Sequence, residues 1–263
     1  MIKFRKLLMI VGAISAACVL AKFSISEGVS AARAAGPGGG PGGGRGGRGG
    51  QVVDTSPRTL APYFVPVTPG PKAPDAEGFI QRWMLLEPFV NNLRGNTGFN
   101  NEYVHNAMTT AKFPEAFATF PHDGDKATVS GQQLTWHALD STLFNVKLYR
   151  FAYGLNKTYY GVQFFAVTVI DSPREIQNVR LAVGSNSASI WWVNGKEVVN
   201  LLGDRRMVAD DVVSKRLTLK KGANLIQGSV INGPGMSDFC VRFIDEEGAP
   251  ITDLAVNFEK AEK

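Results

Sequence analysis

From Gly78 onward the chain is written in short apolar runs broken by Gly, Asn and Asp, and this punctuation limits the fold more than any other feature. Short runs rich in β-branched and aromatic residues, bounded by turn formers, read as strands. The pattern predicts strands at Phe79–Leu86, Leu134–His137, Leu143–Arg150, Tyr159–Ile170, Glu175–Val183, Ser189–Val193, Glu197–Leu201, Ser214–Leu219, Ala223–Ile231 and Asp238–Ile244. Asn194-Gly195, between Trp191-Trp192-Val193 and Lys196–Val199, is the strongest hairpin signal, because a type I′ turn needs positive φ at both central residues. Lys220–Asn224 marks a second turn. One helix is predicted at Asn101–Ala111, with Val104, Ala107, Met108 and Ala111 on one stripe. Many strands, regular turns and little helix define an all-β chain, an antiparallel β-sandwich of jelly-roll type with one short helix.

The 28 Lys+Arg against 23 Asp+Glu suggest a basic protein, but the charge is not evenly spread. Residues 1–74 hold 9 bases and 2 acids, and the rest of the chain holds 19 bases and 21 acids. The folded part is therefore not basic, which argues against nucleic acid as a partner. Lys3, Arg5 and Lys6 precede a 15-residue apolar stretch, Leu7–Ala21. That stretch is short for a membrane span and fits an export signal, with Ala32-Arg33-Ala34 as a small-x-small cleavage site. Ser15-Ala16-Ala17-Cys18 offers a second processing point, which would leave a lipidated N-terminus. Cleavage after Ala34 leaves 23 bases and 22 acids. Gly36–Gly50 has eleven glycines in 15 residues, and six prolines follow in residues 51–74, which reads as a flexible tether and then a stiff spacer. The expected organisation is a signal peptide (1–34), a disordered Gly/Pro linker (35–77), a β-sandwich (78–257) and a tail (258–263). The expected location is extracellular or periplasmic, with no membrane span in the mature chain.

Motifs for catalysis are sparse. No G-x-S-x-G elbow occurs, and His105, His122 and His137 have no motif-placed Ser or Cys beside them. No two His or Cys lie at zinc-ligand spacing. Of the two cysteines, Cys18 lies in the signal, so Cys240 has no partner for a disulfide. The module must then hold itself together by burial.

The string VRLAVGSNSASIWWVNGKEVVNLLGDRRMVADDVVSKRLTLKKGANLIQGSVINGPGMSDFCVRFIDEEGAPI resembles the galactose-binding-like β-sandwich found beside bacterial polysaccharide esterases. GFIQRWMLLEPF and GQQLTWHALDSTLFNVKLYRFAYGLNKTYYG extend the likeness, which covers Gly78 to Asp253. It is greatest to the non-catalytic module attached to acetylxylan and feruloyl esterases, here without the esterase. The resemblance implies a non-catalytic carbohydrate-binding module for plant-wall polysaccharide such as xylan, acting beside a separate esterase or glycosidase. Two other classes use the same features: a protein-interaction or cell-surface assembly sandwich, and a hydrolase, acetylxylan esterase or glycosidase, with an unrecognised site.

Neutral polysaccharide is gripped by aromatic faces stacked on sugar rings and by planar groups that bond adjacent hydroxyls. Trp191 and Trp192 are consecutive on one strand and point to opposite faces. In related sandwiches the residue before Val-Asn-Gly faces outward, which implies Trp192 as the accessible one. Trp136, Tyr153, Tyr159 and Tyr160 are further candidate platforms, with Tyr159 and Tyr160 on opposite faces. The turn containing Asp204, Arg205 and Arg206 groups a carboxylate with two guanidinium groups. No cofactor is expected. The resemblance allows a structural calcium, and Asp123, Asp125, Asp204, Asp210 and Asp211 sit in acid-rich loops, but no ligand set is defined.

Overall fold

The computed structural model describes residues 56–91, 101–110, 120–186, 188–203, 205–231 and 237–262. The expected signal peptide and residues 35–55 of the expected linker lie outside these. The strands are β1 (Phe64–Pro66), β2 (Arg82–Leu86), β3 (Phe89–Val90), β4 (Lys126–Val129), β5 (Gln132–Ser141), β6 (Val146–Lys147), β7 (Val162–Ser172), β8 (Ile176–Ser185), β9 (Ser189–Val193), β10 (Lys196–Leu201), β11 (Val212–Val213), β12 (Leu217–Leu219), β13 (Gly222–Ile231), β14 (Asp238–Ile244) and β15 (Ala255–Val256). Among the described residues two short helices, α1 (Asn101–Thr110) and α2 (Leu148–Gly154), and a 3-10 turn, Phe258–Glu262, accompany them. The chain is mostly β.

The strands form two sheets. The larger runs β1-β5-β2-β7-β13-β9-β10, with β3 and β15 also on β7 and β4 on β5; the smaller runs β11-β8-β14-β6, with β12 on β8. The central strands of the large sheet are buried on both faces, which explains apolar runs such as Phe164–Val167 and Trp83–Leu86 where alternation would otherwise be expected. From β7, Phe164, Ala166 and Ile170 enter the core shared with the small sheet, where Leu181, Val183, Val241 and Phe243 meet them. Phe165, Val167 and Val169 enter a second core under β4 and β5, closed by Phe120 and Phe258. β2 divides the same way, Trp83 and Leu85 against Met84 and Leu86.

Trp83, Trp191 and Phe239 meet edge to face at the centre, with centroids 5.0–5.8 Å apart. Both indole N–H groups are satisfied, Trp83 donating to the Ile80 carbonyl (2.8 Å) and Trp191 to Ser189 Oγ (3.0 Å). The hairpin turn is built as the sequence predicts, with φ +51° at Asn194 and +78° at Gly195. The Asn194 side chain ties the turn to β13, donating to Asn224 Oδ1 and accepting from the Leu225 N–H, both at 3.0 Å.

Several expectations are corrected. The proline-rich residues 56–77 are not a spacer: β1 is an edge strand on β5, a position where proline is tolerated, and Lys72 bridges to Val256. The buried Arg82 guanidinium holds this strap, bonding the Gly70 carbonyl and Thr68 Oγ1 while pairing through two bonds with Asp140 (2.9 and 3.0 Å). The predicted strand Leu143–Arg150 is only β6, followed by α2, because Leu148, Phe151 and Ala152 lie at helical spacing and bury together. Ser214–Leu219 resolves into β12 alone, with β11 before it. The expected tail begins with Phe258, which packs against Phe120 at 5.0 Å between centroids. α1 follows the prediction, with Val104 and Met108 buried; Ala111 lies outside the described residues.

Candidate functional site

Trp191 and Trp192 divide between the faces as the pleat requires. Trp191 is fully buried, and Trp192 is half-buried on the outer face of the large sheet. There Trp192 packs against a third apolar cluster of Ile190, Ala188 and Ile231 from the sheet side with Val104 and Met108 from α1. Its cross-strand neighbours are Glu197 on β10 and Gln227 on β13, so an indole, a carboxylate and an amide lie in one row across three strands. A register shift between Glu197 and Val199 marks this edge.

α1 adds an imidazole to the row. His105 Nε2 lies 2.9 Å from Glu197 Oε2, with both side chains about 30% exposed (32% and 30%). Asn200 Nδ2 donates to the other oxygen, Oε1, at 2.8 Å. The helix reaches this position because its last turn is held as well. Gln163 Nε2 donates to the Met108 carbonyl (3.2 Å) and to Ser229 Oγ (2.6 Å), and Asn91 Nδ2 donates to Gln163 Oε1 (2.7 Å). The result is a half-buried indole beside a carboxylate that an imidazole and an amide hold in place.

The other predicted residues do not join this group. Trp136 is 3% exposed and sits in the second core, so it offers no platform; the neighbouring Leu134 and Leu86 enclose it. Tyr160 is 54% exposed but precedes β7, whose Val167 shares the Trp192 row; five residues of strand separate Val162 from Val167, about 17 Å. Arg205 lies past the other end of β9, where its N–H donates to the Asn186 carbonyl (3.2 Å) and its guanidinium pairs with Asp211 (2.7 Å). Arg206 is exposed, and Asp204 lies outside the described residues.

The remaining acid-rich loops use their carboxylates internally. Asp125 accepts from the His122 N–H and Asp123 from the Ala138 N–H, both at 2.8 Å, and Asp210 pairs with Arg242. Among the described residues no group of three or more His, Cys, Asp and Glu side chains gathers for a metal ion.

Two groupings were not legible in the sequence, although Tyr153, Tyr159, Glu87 and His137 stand out there singly. Around α2, Arg150 lies over Tyr63 (5.0 Å) and Tyr149 (5.3 Å), Arg58 lies over Tyr153 (4.8 Å), and Tyr159 meets Tyr149 edge to face at 4.7 Å. The Tyr153 hydroxyl donates to the Ser56 carbonyl (2.8 Å), so the cluster binds the N-terminal strap to the helix. Nearby, Glu87 accepts from Lys157 Nζ and the Thr135 N–H (both 3.1 Å) and faces His137 Nε2 at 3.5 Å. Burial pushes the Glu87 carboxyl up, but Lys157, Thr135 and His137 together outweigh it and hold it below its ordinary value. A carboxylate so held is an anchored anion rather than a proton donor.

Among the described residues no helix is long and apolar enough to cross a membrane. No family model matches the chain, and no curated protein matches it. Among solved structures it is similar to a PA14 sugar-binding domain from an RTX adhesin (12% identity, TM-score 0.38), covering 70% of this chain and 99% of that one. It is also similar to the PA14 domain of the antifreeze protein MpAFP (12%, 0.38; 72% and 91%). A β-glucosidase from Kluyveromyces marxianus matches at 14% identity and TM-score 0.32 over 65% of this chain, which spans 15% of the enzyme's length. At these levels they define neither a family nor a ligand. By its own sheets the molecule is a mostly β, two-sheet domain with a half-buried tryptophan beside a carboxylate on the outer face of the larger sheet.

Proposed function

We propose that this is a secreted, non-catalytic carbohydrate-binding domain for plant-wall polysaccharide such as xylan, working beside separate esterases or glycosidases. The jelly-roll class and the likeness to esterase-associated modules belong to the same reading. One observation carries it: the half-buried Trp192 indole stands directly across from the Glu197 carboxylate on a rigid sheet. The indole supplies the stacking face and Glu197 and Asn200 supply hydroxyl partners. A sheet-borne site holds these groups in place before the sugar arrives, which limits the ordering cost of binding.

The test is retention on insoluble xylan and titration with xylohexaose. Wild-type protein binds, and Trp192→Ala weakens binding at least tenfold with little loss of stability. Failure of the wild type on a panel of wall polysaccharides sinks the reading.

A second reading has its own observation. Leu143 and Phe144 are both 40% exposed on one loop, with Phe144 leaning on Phe79 (5.1 Å). This favours a protein contact, and self-association by light scattering without sugar would support it.

A further inference from the structure

Glu197 does not stand alone beside Trp192. Its Oε2 meets His105 Nε2 (2.9 Å) and its Oε1 accepts from Asn200 Nδ2 (2.8 Å). An ionised carboxylate has about four acceptor positions. One on each oxygen is taken, and one on each remains. Two acceptors fixed side by side match two neighbouring hydroxyl donors on one ring, in the paired geometry that makes carboxylate bonds selective.

His105 reaches this point from a different element. It lies next to Val104 in the stripe that seats α1 on Ile190 and Ile231, and the helix end is tied down through Gln163 and the Met108 carbonyl. The side chain is thus delivered by a helix packed on the sheet through Val104 and Met108 and tied at its last turn.

We infer, resting on the proposed carbohydrate reading, that His105 is a positioning residue: it orients Glu197 beside Trp192, so that the site selects rings offering two adjacent free hydroxyls. His105 acts through Glu197 and need not touch the sugar. Without the imidazole, a partly exposed glutamate turns about its side-chain bonds and must be ordered again on binding, which weakens affinity roughly five- to tenfold.

Xylohexaose titration of His105→Ala, His105→Gln, Glu197→Gln and the double variant His105→Ala/Glu197→Gln tests this. His105→Ala should lose five- to tenfold with an unchanged melting temperature, and His105→Gln, which keeps an N–H donor, should recover most of it. The His105→Ala loss should vanish in the Glu197→Gln background. Xylan methylated at the 2- and 3-hydroxyls should bind without His105 dependence. Wild-type affinity in His105→Ala, or an equal loss with and without Glu197, overturns the inference. Trp192→Ala run in parallel separates the two failures: Trp192 dependence without His105 dependence removes only this inference, and no wild-type binding removes the function as well.

Discussion

Trp191 lies directly opposite Gly228 across the β9–β13 pairing, and its indole fills the space where a Cβ would stand. A methyl group on Gly228 would come within 2.4 Å of Trp191 Cζ3 and 2.6 Å of Cη2. The indole cannot retreat, because Trp83 and Phe239 pack on it from the other side. Gly228→Ala should therefore destabilise the domain by about 3 kcal/mol, at the upper end of overpacking costs. Urea denaturation followed by tryptophan fluorescence measures it; a change below about 1 kcal/mol would mean the core yields.

The two tryptophans that the sequence offers as platforms, Trp136 and Trp192, should separate by phenotype. Trp136→Ala empties a place in the second core and should cost about 3–5 kcal/mol. Trp192→Ala removes a half-buried ring at the edge of the α1 cluster and should cost no more than about 1–2 kcal/mol. Thermal melts of the two variants decide it: similar losses would place Trp192 in the core as well.

The same contrast marks what could be read in the sequence. The Asn194-Gly195 turn and the opposite facing of Trp191 and Trp192 are local consequences of backbone geometry, so the residues themselves announce them. β1 and the Arg82–Asp140 pair were hidden, since their partners lie 58 or more residues apart and proline-rich sequence imitates a linker. α2 was hidden because seven residues are too short a run for the Leu148, Phe151 and Ala152 spacing to be told from an apolar strand. The half of the site carried by Glu197 and His105 depends on a contact spanning 92 residues. Glutamate after a hairpin was visible as a residue; its partnership with a helix was not.

The Arg82–Asp140 pair should fasten the strap that the sequence suggests is loose. Both side chains are nearly fully buried, and Lys72 adds a contact to Asp140 at 3.3 Å. Asp140→Ala leaves the guanidinium buried without its anion and should cost about 3–5 kcal/mol. It should also open residues 66–72 to protease before the rest of the fold gives way. Limited proteolysis with mass spectrometry reads this, and cutting at unchanged sites would show that the strap is held elsewhere.

Cys240 should behave as a silent thiol. It is buried beside Met207 on the outer side of β14, and burial pushes its pKa up to about 11. The thiolate is the reactive form, so native protein at pH 8 should resist iodoacetamide for hours and label only on unfolding. Labelling within minutes in native buffer would contradict the packing.

Glu87 sets the expected response to acid. Its carboxyl is held below the ordinary value of 4.5, where burial alone would raise it, because Lys157, Thr135 and His137 favour the anion. A group with a lowered folded pKa contributes stability that is fully present above its unfolded value and is lost as pH falls through the folded one. Glu87→Gln removes the charge, leaving Lys157 and the Thr135 N–H with a weaker acceptor, and should cost about 2 kcal/mol at pH 7. The gap between wild type and variant should stay level down to about pH 5 and then close as the wild-type carboxylate takes up its proton. Guanidinium melts of both proteins between pH 7 and pH 3 follow it. A gap that persists unchanged at pH 3 would mean that Glu87 contributes through packing alone.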